Sequence, residues 1–132
     1  MNGRSIARTA LICNASFSIL CGAALVFDGG PIGRVLVAGA APIVGPALLT
    51  LGLGLIAFGA VLIAIALRRG LSARTVLLIT ASDIAWVLGS LAVLGLATAV
   101  FTTPGVAAVA LTALAVGVFA TGQGLGAARM AT

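Results

Sequence analysis

Few side chains in this 132-residue sequence can do chemistry. It contains two Asp, no Glu, no His, no Tyr and no Lys. Without His and Glu, the usual metal ligands, general bases and hydrolytic triads are missing. What remains is one acid in a costly place. Asp83 lies in Leu77-Leu78-Ile79-Thr80-Ala81-Ser82-Asp83-Ile84-Ala85-Trp86, inside a long apolar run that follows Arg74. In a membrane helix, at 1.5 Å per residue, that puts it roughly 13 Å into the bilayer. An Asp at the centre of a membrane helix costs about 2.5–3.5 kcal/mol on insertion scales. It is therefore expected to face the interior of a bundle or to carry a proton.

Partners for Asp83 can be sought at the same depth. Helical spacing places Thr80, Trp86 and Ser90 on its own stripe. Asn14 follows Arg8, and Gln123 precedes Arg129, each by about 9 Å of helical rise. Ser18 is one turn beyond Asn14. The candidate intramembrane polar cluster is thus Asn14, Ser18, Thr80, Asp83, Trp86, Ser90 and Gln123. One use for it is a set of interhelical hydrogen bonds that fixes helix register. The other is a proton-linked or substrate-binding pocket open to the cytoplasm. Trp86 sits away from the interfacial belts where Trp is usual, so it packs on this pocket or offers a stacking surface. No catalytic residue, cofactor or metal ligand is expected.

Composition names the elements that must hold these residues. The chain is 62% hydrophobic and only 7% charged. Soluble domains carry about 25% charged residues, so a soluble globule is excluded, and disordered chains are not this apolar. The net charge of +5 does not point to nucleic acid, because no basic run is interleaved with aromatics. Arginines at the ends of apolar spans set orientation instead. Cys13 and Cys21 would lie about 12 Å apart along one helix, beyond the reach of a disulfide. No strand-like alternation suits a β-barrel.

Charges and turn residues divide the chain into one transmembrane domain over 1–132, with spans at about 6–27, 44–67, 74–99 and 105–127. Asp28-Gly29-Gly30-Pro31 reads as the stop of the first span, with Asp28 as an interfacial turn residue near Arg34. The segment Pro31 to Ala41 reads as a short interfacial or re-entrant helix. The second span is expected to start between Pro42 and Pro46, because Pro is tolerated in a first helical turn. Arg4 and Arg8 ahead of an apolar run also resemble a signal peptide, but four retained spans balance the charges better. With a cytoplasmic amino terminus, Arg4, Arg8, Arg68, Arg69, Arg74 and Arg129 are inside and Arg34 is outside. Gly122 and Gly126 form a small-residue motif suited to packing within the chain or to self-association.

Three strings carry a family resemblance: Ala15-Ser16-Phe17-Ser18-Ile19-Leu20-Cys21-Gly22, Leu51-Gly52-Leu53-Gly54-Leu55-Ile56-Ala57-Phe58-Gly59, and Ser82-Asp83-Ile84-Ala85-Trp86-Val87-Leu88-Gly89-Ser90. With them the chain resembles small bacterial four-span inner-membrane proteins, similar in size to DoxX-like proteins. The resemblance implies a four-helix membrane bundle and no particular activity. The expected protein is all-α, a four-helix bundle with short loops, multi-pass in a bacterial inner membrane, with both termini cytoplasmic. It is expected to be a non-enzymatic accessory or structural subunit. Its expected partners are the lipid bilayer and a larger membrane complex or further copies of itself, with no nucleic acid. The alternative is a small proton-coupled transporter using Asp83.

Overall fold

The computed structural model describes residues 2–39 and 41–131. Four helices account for most of them: α1 (Gly3–Leu36), α2 (Val44–Ala66), α3 (Ala73–Leu96) and α4 (Thr103–Ala131). All four are long and apolar enough to cross a membrane. A short 3-10 turn, Thr98–Val100, precedes α4. Extended pairing among the described residues amounts to one antiparallel bridge, between Val37 and Phe101.

Polar side chains mark the helix starts. The Asn2 side chain accepts a hydrogen bond from the Ser5 amide at 2.9 Å and caps α1. Ser72 caps α3 by accepting from the Thr75 amide at 3.1 Å. Thr102 has a double role. Its hydroxyl accepts from the Gly105 amide at 3.1 Å and donates to the Val35 carbonyl at 2.5 Å, tying the start of α4 to the end of α1.

The stop expected at Asp28 is a kink instead. Asp28 alone leaves helical geometry, at φ −123° and ψ 21°, and the helix resumes through Pro31 to Leu36. Pro31 then falls in the first turn of the resumed piece, where a missing N–H leaves no helical bond unmade. Packing favours the continuation: a Cβ on Gly33 would stand 2.9 Å from Val44 Cγ1, so this piece lies tight against the start of α2. The short segment foreseen between the first two spans is therefore helical only as far as Leu36, and that part is continuous with α1. Ala40, at its far end, lies outside the described residues. α2 starts at Val44, between the two prolines as expected. α3 ends at Leu96, before the expected Ala99, and α4 extends beyond both expected ends.

In space the helices follow the order α2, α1, α4, α3. α1 packs against α2 and α4, and α4 packs against α3, whereas α2 and α3 make no comparable contact. Small residues bring the backbones together. A Cβ on Gly22 would lie 2.6 Å from the Gly52 carbonyl oxygen, and one on Gly126 would lie 2.6 Å from the Ala7 nitrogen. A Cβ on Gly122 would lie 3.1 Å from Ala10 Cβ, so the Gly122/Gly126 motif is occupied by α1 of the same chain.

Six of the seven arginines, all but Arg34, belong to one end of the bundle, where α1 and α3 begin and α2 and α4 finish. Both chain ends meet there, since Gly3 abuts Gly126 and Met130. Just inside this end, Leu11, Leu62, Leu71, Val76 and Ile79 form a buried apolar core.

Gly126→Leu should force α1 and α4 apart and lower stability by about 1–3 kcal/mol, the usual range for overpacking. Gly54→Ala, where an added Cβ meets nothing within 4 Å, should be close to neutral. Unfolding in detergent micelles, followed by circular dichroism, checks the contrast.

Candidate functional site

Asp83 is 3% exposed and sits near the middle of α3. Its Oδ2 accepts two amide hydrogen bonds, from Asn14 Nδ2 of α1 at 2.8 Å and from Gln123 Nε2 of α4 at 2.9 Å. Asn14 is 1% exposed and Gln123 is fully buried, so neither amide has water as an alternative partner. Two further bonds hold the amides in orientation. Ser18 donates to Asn14 Oδ1 at 3.3 Å, and the Thr80 hydroxyl lies 3.2 Å from Gln123 Oε1 and 3.0 Å from its own helix carbonyl at Val76. Both amide oxygens are thereby engaged, and both NH₂ groups point at the carboxylate.

Five of the seven candidate residues thus join one network across three helices: Asn14, Ser18, Thr80, Asp83 and Gln123. Trp86 and Ser90 are outside it. Trp86 lines the cavity beside Asp83 and is 38% exposed. Ser90 bonds the Trp86 carbonyl at 2.9 Å, so its hydroxyl is spent on its own helix. Asp28 is exposed at the α1 kink, far along the helix from the network. Cys13 and Cys21 are free thiols on α1.

Asn14, Ser18 and Asp83 of the network line a cavity of about 380 Å³ to which all four helices contribute. Thr50, Leu51 and Gly54 on α2, and Ser82 and Trp86 on α3, line it and are exposed. They border the gap left where α2 and α3 fail to pack. Phe17, Val116 and Ser18 belong to its back wall on α1 and α4. Phe17 also stacks at a tilt on Phe119, with ring centroids 5.7 Å apart, which fixes that wall.

The opening is therefore sideways. The sequence suggested a pocket open to the cytoplasm, but the route from the cluster to the arginine-rich end is filled by Leu11, Leu62, Val76 and Ile79, each at most 8% exposed. Those positions lie one or two turns from Asn14 and Asp83 on the same inward faces, and apolar side chains occupy them.

One polar atom remains unspent. Asp83 Oδ1 accepts no hydrogen bond from the described residues, yet it is not among the sealed orphan atoms. Asp83 lines the cavity, and Oδ1 is its one oxygen without a donor among the described residues. Sequence spacing could not separate the two carboxylate oxygens or show that α2 leaves one side uncovered. The exposed glycine Gly54, opposite Asp83 in the cavity lining, was the available signal. No family model matches the chain, and no curated protein or solved structure matches it either.

Replacing Asn14 by Val or Gln123 by Met should each destabilise the bundle by about 0.6 kcal/mol, and by about 1.7 kcal/mol at most, as for other intramembrane hydrogen bonds. The pair should be non-additive, because both amides bond one oxygen. A double-mutant cycle on unfolding free energy measures this. Additive losses would mean that the amides do not share Asp83.

Proposed function

We propose that the chain is a non-enzymatic accessory or structural subunit of a bacterial inner membrane, packing its open side against lipids or partner helices. The observation that carries this reading is the unpacked side between α2 and α3. α2 buries only Gly52, Gly59, Leu62 and Ala66 along its 23 residues. Large apolar side chains such as Leu53, Val61, Leu77 and Leu88 remain uncovered. In water that surface would drive aggregation, whereas between lipids it is a packing surface. The partner is a larger membrane complex or further copies of the chain. The DoxX-like resemblance fits such a small four-span bundle with short loops.

The arginine distribution supports an orientation. Six arginines at one end against Arg34 at the other favour a cytoplasmic position for that end and for both termini. Arg4, Arg8 and Arg69 border a hollow of about 500 Å³ there. That setting suits anionic lipid headgroups better than nucleic acid.

A second reading, the small proton-coupled transporter, is favoured by the open Asp83 Oδ1. A transported proton would ride on Oδ1, because Oδ2 already accepts two N–H groups. The apolar core on the arginine side would then have to part in every cycle.

Purification from membranes in mild detergent tests the first reading: the chain should travel in an assembly larger than one copy. A strictly monomeric species with no companion would contradict the partner helices and leave lipids alone on the open side. Proteoliposomes test the second. Under the first reading, proton flux should be no greater than in empty vesicles, for both the wild type and Asp83→Asn. Flux present in the wild type and lost in the variant would select the transporter. Epitope tags at both ends should be reached by antibody only after the inner membrane is breached; labelling of intact spheroplasts would overturn the orientation.

A further inference from the structure

The cavity beside Asp83 is chemically one-sided. Its floor offers one carboxylate oxygen, its walls are mainly apolar and aromatic, and its mouth faces the bilayer between α2 and α3. From this we infer that it binds an amphiphilic amine that enters sideways from the lipid. The protonated amine rests on Asp83 Oδ1, and the hydrocarbon lies along Leu55, Phe58 and Val116.

The unspent oxygen carries the assignment. Asp83 is 97% buried, being 3% exposed, and its two protein donors both use Oδ2. Among the described residues no arginine lines the cavity, so the carboxylate finds no countercharge there. A buried carboxylate without a cation is costly; a proton removes that cost, and so does a partner that brings a charge together with a hydrogen-bond donor. An ammonium head supplies both in one group.

The rest of the lining agrees with a cationic head on an apolar body. Phe17, Phe58 and Trp86 share the space, and aromatic rings attract an ammonium within about 6 Å. A bare metal ion fits poorly, because hard cations take about six or more oxygens. The nearby hydroxyls of Thr50 and Ser82 donate to carbonyls of their own helices, at 3.0 and 3.2 Å. The volume, about 380 Å³, falls in the range of small-molecule sites, about 300–1,000 Å³. Gly54 keeps the space open, since a Cβ there would touch nothing within 4 Å.

This inference rests on the chain spanning a bilayer and gives its open side an occupant; it does not require the accessory role. Trp86 is the sole Trp in the sequence and lines the site, so its fluorescence reports occupancy directly. The experiment titrates the purified chain, in uncharged maltoside micelles near neutral pH, with dodecylamine and separately with dodecanol. Dodecylamine should give a saturable change in emission, and dodecanol none over the same range. Asp83→Asn should weaken the dodecylamine response by about tenfold or more, as loss of a charge-assisted bond predicts. Gly54→Leu, which fills the space and leaves Asp83 in place, should weaken it similarly. Circular dichroism verifies the fold of each variant, and Gly54→Leu decides alone if Asp83→Asn does not fold. No saturable change in the wild type, an equal response to dodecanol, or an undiminished response in Gly54→Leu would overturn the inference. The result is read on the isolated chain, so it is independent of what co-purifies with it.

Discussion

One carboxylate oxygen, Asp83 Oδ2, joins three of the four helices. Asn14 from α1 and Gln123 from α4 both donate to it, in a place where hydrocarbon offers no substitute partner. Each bond alone is worth little, because intramembrane hydrogen bonds average about 0.6 kcal/mol. Their collective effect is on register. Sliding α1 or α4 by one turn would leave a buried amide unpaired and take from Asp83 Oδ2 one of its two donors, and unpaired buried polar groups are expensive. The network therefore selects one depth and one rotation for α1, α3 and α4. α2 has no part in it and is held by close packing on α1.

That division of labour explains the shape. Where glycine meets backbone, as at Gly22 with Gly52 and Gly126 with Ala7, helices approach until further contact is sterically closed. Dispersion and close approach replace the hydrophobic drive that lipid removes. Those contacts all involve α1, so α1 takes a neighbour on each side. α3 is attached through α4, and the ring is left incomplete between α2 and α3. The apolar core near the arginines seals the cluster from one end, and the exposed residues of the cavity lining lie to the side, on α2 and α3. A polar centre that three helices need for register is thus also the floor of a lipid-facing cavity.

Much of this was legible in the residues. The four spans follow from charge-free length. The meeting of Asn14, Asp83 and Gln123 follows from their similar depths, six residues from the flanking arginine for Asn14 and Gln123 and nine for Asp83. The kink at Asp28 did not, because Asp28-Gly29-Gly30-Pro31 reads locally as a stop, and the packing of Gly29 and Gly33 on α2 favours continuation of the helix. Ser90 shares the Asp83 stripe by spacing, yet its hydroxyl satisfies itself on the Trp86 carbonyl, a choice that spacing cannot reveal. Helix order was also hidden. Every face here is apolar, so periodicity does not say which face meets which neighbour. The partner of Gly122 and Gly126 was open for the same reason, and so was the direction in which the cavity opens.

The most direct measurement is solid-state NMR on the protein in lipid bilayers, with ¹³C-labelled Asp and ¹⁵N-labelled side-chain amides. Gln123 is the sole Gln, and Asp83 is one of two Asp, so the signals are readily assigned. Donor–acceptor distances of 2.8 and 2.9 Å require both the Asn14 and the Gln123 amide nitrogens to correlate at short range with the Asp83 carboxyl carbon. Both correlations are predicted. An Asp83 carboxyl that correlates with lipid chains, and with neither amide, would contradict the shared oxygen on which the bundle depends.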